Sequence, residues 1–277
     1  MSKTLSKLKF IGNNTVIVQP LGGLCNRMRV IVGAVSLAQK LNRELMIIWT
    51  CDATLNAKFS DLFESIPYQV VECPLNSIRY KMLYHWYKNV RHYTILDDRW
   101  ISANARGIEY NTWRELVEGK NLYLQTNLDI LFDGDYSIFK AKMSVIEELN
   151  NVSCDENTVG LHIRRTDNAN AIKYSPTELF FSKVEEEIHT HPETKFYLAT
   201  DDPQEEKQFI ERFGQRIIIY QKHSLDRNNP VAIKDALIDL YNLSHCRKIY
   251  GSYWSSFSDT AALWAGIKKE EIKKKFL

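Results

Sequence analysis

The sequence contains no long apolar run, no excess of one charge and no paired-cysteine motif. No apolar stretch approaches the ~20 residues that a membrane-spanning helix needs, and no signal-peptide core follows the basic first nine residues. Lysine and arginine total 36 against 34 for aspartate and glutamate, so the net charge of +2 implies no polyanionic partner such as nucleic acid. These absences argue against membrane-spanning and nucleic-acid-binding proteins, and the expected location is the cytoplasm.

Cysteine and histidine are sparse and scattered. The five cysteines are odd in number, and none belongs to a Cys-x-x-Cys pair. This pattern is typical of free thiols in a reducing compartment, and neither the cysteine spacing nor the histidine spacing makes a metal site. We therefore expect neither a disulfide framework nor a bound metal ion.

The sequence does contain an alternation of short apolar runs and helical periods along its 277 residues. This alternation predicts an α/β protein of two Rossmann-like domains that face each other across a cleft. Turn residues at 133–135 set the boundary near residue 135, which gives domains of residues 1–135 and 136–277. The predicted strands are 15–18, 44–50, 68–72, 122–125, 159–163, 195–200, 216–220 and 248–251. The predicted helices are 26–40, 59–63, 80–87, 140–150, 177–188 (with Ser175 as N-cap), 232–244, 261–266 and the last ten residues, whose amphipathic pattern also allows weak membrane-surface association.

Residues 158–167, TVGLHIRRTD, predict a buried strand that ends in charge. Ligands of open α/β sheets bind at the carboxyl ends of the strands, and guanidinium groups match phosphate groups in geometry and charge. Arg164 and Arg165 are therefore candidate phosphate ligands, and His162 lies beside them inside the strand. The alternative is a solvated strand end, where arginine is common.

Two further strand ends carry polar groups. Asp201 and Asp202 follow the strand at 195–200 and can accept hydrogen bonds from ribose hydroxyls or base N–H groups, although Asp202 before Pro203 is also a good helix cap. Four serines between residues 252 and 258, Ser255 and Ser256 among them, precede a helix. They can cap this helix, or they can donate to a phosphate group at its N-terminus.

The first half contributes a strand, a Gly-Gly loop and a helix. Gly22 and Gly23 let the backbone approach a ligand, and Asn26 and Arg27 lie at the start of a helix whose free N–H groups favour anions. A tight turn without a ligand is the alternative, because the loop is neither a GxGxxG nor a Walker motif. If the domains face each other, these loops line one cleft whose groups suit a nucleotide diphosphate sugar better than a dinucleotide.

Two other segments have both a functional and a structural interpretation. Residues 79–100 interleave aromatic and basic side chains, which can stack on nucleobases or sugar rings or pack as an ordinary amphipathic helix. Asp133 and Asp135 can hold a divalent metal against a nucleotide diphosphate or belong to a Gly-centred turn. The structural interpretation is favoured for both segments.

Four motifs resemble, in the same order, those of the GDP-fucose-dependent fucosyltransferase superfamily of α1,6-, α1,2- and protein O-fucosyltransferases, and they are most similar to the α1,6 branch. HIRRTD at 162–167 resembles its HxRRxD-type motif, and GGLCNR at 22–27 resembles its N-terminal GGxGNR loop. YLATDD at 197–202, and LIDLYNLSHC with SSFS at 237–246 and 255–258, are similar to its C-terminal motifs.

The resemblance implies a GT-B fold and an inverting transfer of fucose from GDP-fucose to a hydroxyl group of a glycan acceptor, without a metal or other cofactor. It also implies that residues 1–135 form the acceptor side and residues 136–277 the donor side. Arg164 would bind the diphosphate and offset charge on the departing GDP, with Asp167 as the second candidate catalytic residue. The residues carried over as donor-binding are Gly22, Gly23, Asn26, Arg27, His162, Arg164, Arg165, Asp201, Asp202, Asp239, Ser255 and Ser256.

Two positions depart from the superfamily's pattern. Cys25 stands where glycine is usual, and residues 168–172 hold no counterpart of the glutamate that is the proposed base in the α1,6 branch. An inverting transfer normally needs a base near the acceptor hydroxyl. Asp167, Glu178 or Asp259 could supply it, or the reaction could rely on leaving-group stabilisation. Two other functions stay open, namely a non-catalytic sugar-nucleotide or glycan-binding protein and a metal-dependent GT-A-type transferase that uses Asp133 and Asp135.

Overall fold

The computed structural model describes residues 14–104, 110–131, 133–148, 152, 154–226 and 228–274. The chain divides into two compact units, and each is an α/β unit with a parallel sheet, as predicted. The first unit comprises Met1–Thr54 and Ser65–Ile138, and the second comprises Leu55–Glu64 and Phe139–Leu277. The boundary at residue 135 and the assignment of donor and acceptor sides stay predictions.

The helices and strands alternate along the chain. The strands are β1 (Thr15–Pro20), β2 (Glu44–Cys51), β3 (Gln69–Pro74), β4 (Thr94–Asp97), β5 (Leu122–Thr126), β6 (Thr158–Ile163), β7 (Lys195–Thr200), β8 (Ile217–Ile218), β9 (Lys248–Ser252) and β10 (Lys268–Ile272). The helices are α1 (Leu24–Lys40), α2 (Phe59–Leu62), α3 (Ile78–His85), α4 (Asp98–Asn104), α5 (Tyr110–Val117), α6 (Met143–Ile146), α7 (Ala169–Tyr174), α8 (Thr177–Thr190), α9 (Pro203–Phe213), α10 (Pro230–Ser244) and α11 (Ser256–Ala265).

The sheet of the first unit has the strand order β3-β2-β1-β5-β4. All its pairings are parallel, and β1 is the central strand and is buried along its whole length. The aromatic segment packs as predicted for an ordinary amphipathic helix. Leu83 and Tyr87 belong to a core cluster with Ile17 and Met46, and Tyr80 and Tyr84 pack against it. The sequence analysis did not predict β4, α4 or α5.

The sheet of the second unit has the strand order β10-β9-β6-β7-β8, which puts β6 in the centre. One face carries Val159, Leu161 and Ile163, which pack against Phe180 of α8 and Phe209 of α9. The opposite face is covered by α10 and α11. Successive side chains of β6 point alternately to these two helix layers, because successive residues of a strand point to opposite faces.

One predicted helix is much shorter than expected, and another is a strand. The helix expected over 140–150 is α6 alone within the described residues, because the backbone before it pairs elsewhere. Lys142 N donates to Leu62 O at 3.0 Å, and Glu64 N donates to Lys140 O at 2.8 Å. Of the helix expected over the last ten residues, Lys268–Ile272 form the strand β10, which pairs residue by residue with β9, and residues 275–277 lie outside the described residues. Its lysines and glutamates suit an exposed edge strand.

Two smaller differences concern element ends, and one short helix was not predicted. The strand expected over 216–220 shortens to β8, since only Ile217 and Ile218 pair with β7. Pro176 rather than Ser175 is the N-cap of α8, because the Ser175 hydroxyl accepts a hydrogen bond from Tyr253 N at 2.8 Å. The helix α7 was not predicted from the sequence.

The predicted absences can be compared with the structure. Within the described ranges, no helix is long and apolar enough to cross a membrane. None of the five cysteines forms a disulfide bond, and Cys25, Cys73 and Cys246 are buried. The five cysteines are therefore thiols, as predicted from the sequence.

Candidate active site

Three neighbouring strands of the second unit end at one edge of its sheet. Because β6 pairs in parallel with β7 and with β9, the backbone of His162 lies level with Ala199 and Gly251. The residues that follow these strands therefore lie close together. They include Arg164, Arg165, Asp201, Asp202, Ser255 and Ser256. The structure brings the three predicted strand ends together as expected.

Arg164 stands at the centre of this edge. Its main-chain N–H donates to Ser252 Oγ at 3.0 Å. Its guanidinium group forms ion pairs with Asp167 and with Asp201, the latter at 2.7 Å, and 19% of the side chain is exposed. An accessible cation held by two carboxylates can exchange them for another anion, such as a diphosphate.

The two aspartates after β7 make different contacts. Asp201 accepts hydrogen bonds from Arg165 N at 2.8 Å and Thr166 N at 3.3 Å, which fixes the loop after β6. Burial alone would raise the pKa of Asp201, but hydrogen bonds from Thr166 and the charge of Arg164 hold the pKa below its usual value. Asp202 caps α9 by accepting from Gln204 N at 2.9 Å, and Pro203 follows at the first helical position. The capping interpretation of Asp202 is confirmed.

The Arg165 guanidinium group makes hydrogen bonds within the second unit. Its Nε donates to Glu205 Oε1 at 2.6 Å, its Nη2 donates to Thr177 Oγ1 at 3.0 Å and its Nη1 donates to Arg164 O at 3.0 Å. Only 12% of Arg165 and 5% of Glu205 are exposed. These bonds fix the loop behind Arg164. The role of Arg165 in donor binding stays a prediction.

Glu205 was missed by the sequence analysis. An acidic residue three positions after an N-cap usually reaches back to the cap, as in a capping box. Here the carboxylate accepts instead from Arg165 and from the Thr177 hydroxyl, at 2.6 Å each. The sequence pattern Asp202-x-x-Glu205 was therefore a usable signal that Glu205 lies in the first turn of α9. It did not reveal that the partner of Glu205 is Arg165.

His162 contributes a buried imidazole beside Arg164. The ring is 4% exposed and stacks on Phe257, with ring centres 4.9 Å apart. Burial, together with the charge of Arg164, lowers the pKa of His162 to about 3, so the imidazole is neutral at physiological pH. Its Nδ1 makes no hydrogen bond to any described residue. A buried nitrogen without a partner is costly, which makes His162 Nδ1 a candidate ligand-binding atom.

The N-terminus of α11 lies next to His162. Ser255 is the N-cap and is buried, yet its side chain forms no capping hydrogen bond. Ser256 is the first residue of the helix. Gly251 permits the close approach of β9 to α11, because a Cβ atom at this position would lie 2.4 Å from Ser258 Oγ. The free N–H groups of a helix N-terminus and its partial positive charge favour an anionic ligand.

Asp239 lies apart from the strand ends, on α10 beneath β7. Tyr197 donates to its Oδ1 at 2.5 Å, and Lys222 Nζ is 3.4 Å from its Oδ2. Burial outweighs the nearby charge of Lys222 and raises the pKa of Asp239 to about 6. The structure gives this carboxylate partners within the core. Its predicted contact with a donor stays a prediction.

The Gly-Gly loop belongs to the first unit. Gly22 has a φ of +77°, which favours glycine, and Gly23 is the N-cap of α1. A side chain at position 22 would also meet Asn26, since a Cβ atom there would lie 2.9 Å from Asn26 Nδ2. The positive φ and the close packing on Asn26 explain the glycine at position 22 locally, whereas a Cβ atom at Gly23 would meet no atom within 4 Å.

Arg27 points into the first unit and is fully buried. Its Nε donates to Gly22 O at 2.7 Å, its Nη1 to Thr50 O, and its Nη2 to Asp52 Oδ2 at 2.8 Å. The guanidinium group thus ties the Gly-Gly loop to the end of β2. Asp52 was missed by the sequence analysis, although an acidic residue directly after a buried strand was a usable signal. A donor contact of Arg27 stays a prediction.

The two aspartates of the predicted turn make local contacts. Asp133 accepts from Ser36 Oγ at 2.7 Å and pairs with Lys40, and Asp135 accepts from Ser137 N at 2.8 Å. These bonds agree with the structural interpretation. In the part of the chain that the structure describes, the group with metal-ligand geometry is Glu148, His223 and Asp235 in the second unit, and neither aspartate of the turn belongs to it.

The candidate bases are in different environments. Asp167 pairs with Arg164 and is 54% exposed. Asp259 pairs with Lys269 and is 53% exposed. Glu178 is an exposed residue in the first turn of α8. Among these three candidate bases, only Asp167 is in direct contact with Arg164, the cation at the centre of the strand ends.

Comparison with known proteins places this fold among fucosyltransferase structures. No protein-family model and no curated protein sequence matches the chain. The structure is similar to that of NodZ alpha-1,6-fucosyltransferase soaked with GDP-fucose, with a TM-score of 0.60, 18% identity and coverage of 91% of this chain and 92% of that one. It is also similar to fucosyltransferase NodZ from Bradyrhizobium, with a TM-score of 0.59, 17% identity and coverage of 90% and 92%. For POFUT1 in complex with GDP-fucose the TM-score is 0.59, the identity 10% and the coverage 94% and 98%. At these sequence identities, the similarity shows that the chain shares its fold with these fucosyltransferase structures.

Proposed function

We propose that the protein is an inverting, metal-independent glycosyltransferase of GT-B type that moves fucose from GDP-fucose to a hydroxyl group of a glycan acceptor. The observation that carries this proposal is the group at the carboxyl end of β6. There an exchangeable arginine, a buried histidine nitrogen and a helix N-terminus converge. The similar structures that contain GDP-fucose support the choice of donor.

The donor diphosphate binds between Arg164 and the N-terminus of α11. Arg164 exchanges its pairs with Asp167 and Asp201 for the diphosphate, and the main-chain N–H groups of Ser256 and the next residue donate to it. His162 Nδ1 hydrogen-bonds a polar group of the ribose or the guanine. In the transition state, Arg164 stabilises the negative charge that develops on the departing GDP.

The transfer is a single displacement. The acceptor oxygen forms a bond to the anomeric carbon of fucose while the bond from that carbon to the GDP oxygen breaks, so the configuration inverts. The proton of the acceptor hydroxyl goes to Asp167, whose carboxylate is released when Arg164 turns to the diphosphate. Asp167 thus takes the place of the absent glutamate.

The remaining parts of the proposal concern cofactors and location. Leaving-group charge is offset by Arg164 and the helix N-terminus, so the reaction proceeds without a metal ion. Five cysteines without a disulfide bond agree with a reducing compartment, and we therefore assign the protein to the cytoplasm. Turnover in the presence of excess EDTA tests the metal independence of the reaction, since loss of activity would favour a metal-dependent transferase.

A thermal-shift titration without added metal tests the donor site. A ligand that binds the native state stabilises it by RT ln(1 + [L]/Kd), which is about 2.7 kcal/mol at a hundredfold excess over Kd. GDP and GDP-fucose should raise the midpoint more than UDP-glucose does, with GDP-mannose as a test of sugar specificity. The shift should vanish in Arg164→Ala and persist in the control Arg212→Ala, whose arginine pairs with Glu185 on the exposed surface of the same unit. No shift with any guanosine ligand would overturn the proposal.

A second candidate function is a non-catalytic sugar-nucleotide or glycan-binding protein. It is favoured by one observation, which is that Asp167 and Asp259 are both ion-paired. The two functions separate in a single assay. Transfer releases GDP from GDP-fucose when an acceptor is present, whereas a binding protein saturates with GDP-fucose and releases no GDP.

A further inference from the structure

Trp254 combines high exposure with an unusual backbone conformation. The side chain is 60% exposed, and the residue has a φ of +57°, in the left-handed region that residues with a Cβ atom rarely adopt. Conformations of this kind persist only where the surrounding structure imposes them, and they cluster at functional sites. An exposed indole on a strained backbone therefore calls for a physical account.

The surrounding loop imposes this conformation through four hydrogen bonds. Asn168 Nδ2 donates to Trp254 O at 2.8 Å, and Trp254 N donates to a carboxylate oxygen of Glu271 at 3.4 Å. On the preceding side, Tyr253 N donates to Ser175 Oγ at 2.8 Å and Ser252 Oγ accepts from Arg164 N at 3.0 Å. The backbone of Trp254 is thus held in place while its indole extends into solvent.

The loop also places the indole at the rim of the candidate donor site. Trp254 lies between Ser252, which contacts Arg164, and Ser255, the N-cap of α11. The Tyr253 ring is 5.7 Å from the indole, and Tyr174 packs edge-on against Tyr253 at 5.4 Å. An aromatic surface therefore adjoins the polar groups that are proposed to bind the diphosphate.

We infer that Trp254 is a stacking platform for a pyranose ring of the acceptor saccharide. One face of a pyranose ring presents C–H groups that pack on an aromatic face, while its hydroxyl groups stay hydrated at an exposed position. An uncharged indole does not neutralise a diphosphate, and the groups that do so are the half-buried Arg164 and the helix N-terminus beside it. This inference rests on the proposed function, and it assigns an acceptor subsite to the second unit.

The test compares substitutions that separate the indole from the backbone conformation. Trp254→Asn removes the ring but suits a positive φ, and Trp254→Phe keeps an aromatic face. Leu263→Ala is the control, since Leu263 is an exposed apolar residue of α11 with a similar exposure of 58%. Each protein, saturated with GDP, is titrated with the oligosaccharides that wild type retains most strongly on an array of neutral glucose-, galactose-, mannose- and N-acetylglucosamine-containing oligosaccharides. GDP affinity is measured in parallel.

The expected result is a loss of oligosaccharide affinity of about tenfold or more in Trp254→Asn, a smaller loss in Trp254→Phe and none in Leu263→Ala, with GDP affinity unchanged throughout. Equal oligosaccharide affinity in wild type and Trp254→Asn would overturn the subsite. So would a wild type that binds GDP but no oligosaccharide, or a Trp254→Asn protein that loses GDP affinity. If the wild-type protein binds oligosaccharides through Trp254 but does not bind GDP, the acceptor subsite is supported and the proposed donor is refuted.

Discussion

Replacement of Arg27 by methionine should destabilise the first unit strongly. The guanidinium group is fully buried and donates to Gly22 O, Thr50 O and Asp52 Oδ2. Methionine fills part of the same space but leaves the Asp52 carboxylate without its ion-pair partner. Removal of one partner from a buried pair costs roughly 3–5 kcal/mol, which for a unit of this size lowers the melting temperature by roughly 6–20 °C.

The matched control is Arg29→Met on the same helix. Arg29 is 25% exposed and lies 3.5 Å from Asp129, so the loss of its pair should cost about 1 kcal/mol at most. Both variants are compared with wild type by urea unfolding, and hydrogen exchange of α1 and β2 assigns the effect to the first unit. If Arg27→Met were within about 1 kcal/mol of wild type, Arg27 would not be holding the Gly-Gly loop, and its side chain would be free for the donor contact predicted from the sequence.

Three further predictions follow from the second unit. Gly251→Ala forces a methyl group to within 2.4 Å of Ser258 Oγ, so it should lower the free energy of unfolding in urea by about 1–3 kcal/mol. It should also weaken GDP binding, because α11 must move. Addition of Ser258→Ala should restore part of the stability. Asp239 has its pKa raised to about 6, so it contributes stability at low pH that is lost as pH rises to about 6; Asp239→Asn should steepen the loss of stability between about pH 7 and about pH 4.5. His162 has its pKa lowered to about 3, so its contribution is present above about pH 6.5 and is lost on acidification. His162→Gln should reduce the acid sensitivity seen in urea midpoints. An unchanged pH profile would mean that the pKa of the imidazole is the same in the folded and unfolded states.

The sequence predicted the candidate site where local rules decide the structure. The apolar run of β6 stops at Arg164, and parallel topology alone then brings this end beside those of β7 and β9. The cap at Asp202 followed from Pro203 for the same local reason. The cap needs no knowledge of distant contacts, and the clustering of strand ends needs only the parallel topology of the sheet.

Non-local contacts decided the features that the sequence did not reveal. The charged segment 268–272 fits a helix or a strand, and pairing with β9 selects the strand. The direction of Arg27 depends on Asp52, which is distant in sequence, and a long flexible side chain gives no sign of whether it points inward. The partner of Glu205 is Arg165, on a loop 40 positions away. Propensity and capping rules describe neighbours along the chain and therefore miss such pairs.

A crystal structure of the protein with GDP-fucose tests the central claim most directly. The account predicts the diphosphate within hydrogen-bonding distance of the Arg164 guanidinium group and of the first N–H groups of α11, with His162 Nδ1 bonded to the ribose or the guanine. In that complex Arg164 should have left Asp167. A nucleotide bound away from the carboxyl end of β6, or Arg164 still paired with Asp167 and Asp201 beside a bound nucleotide, would contradict it.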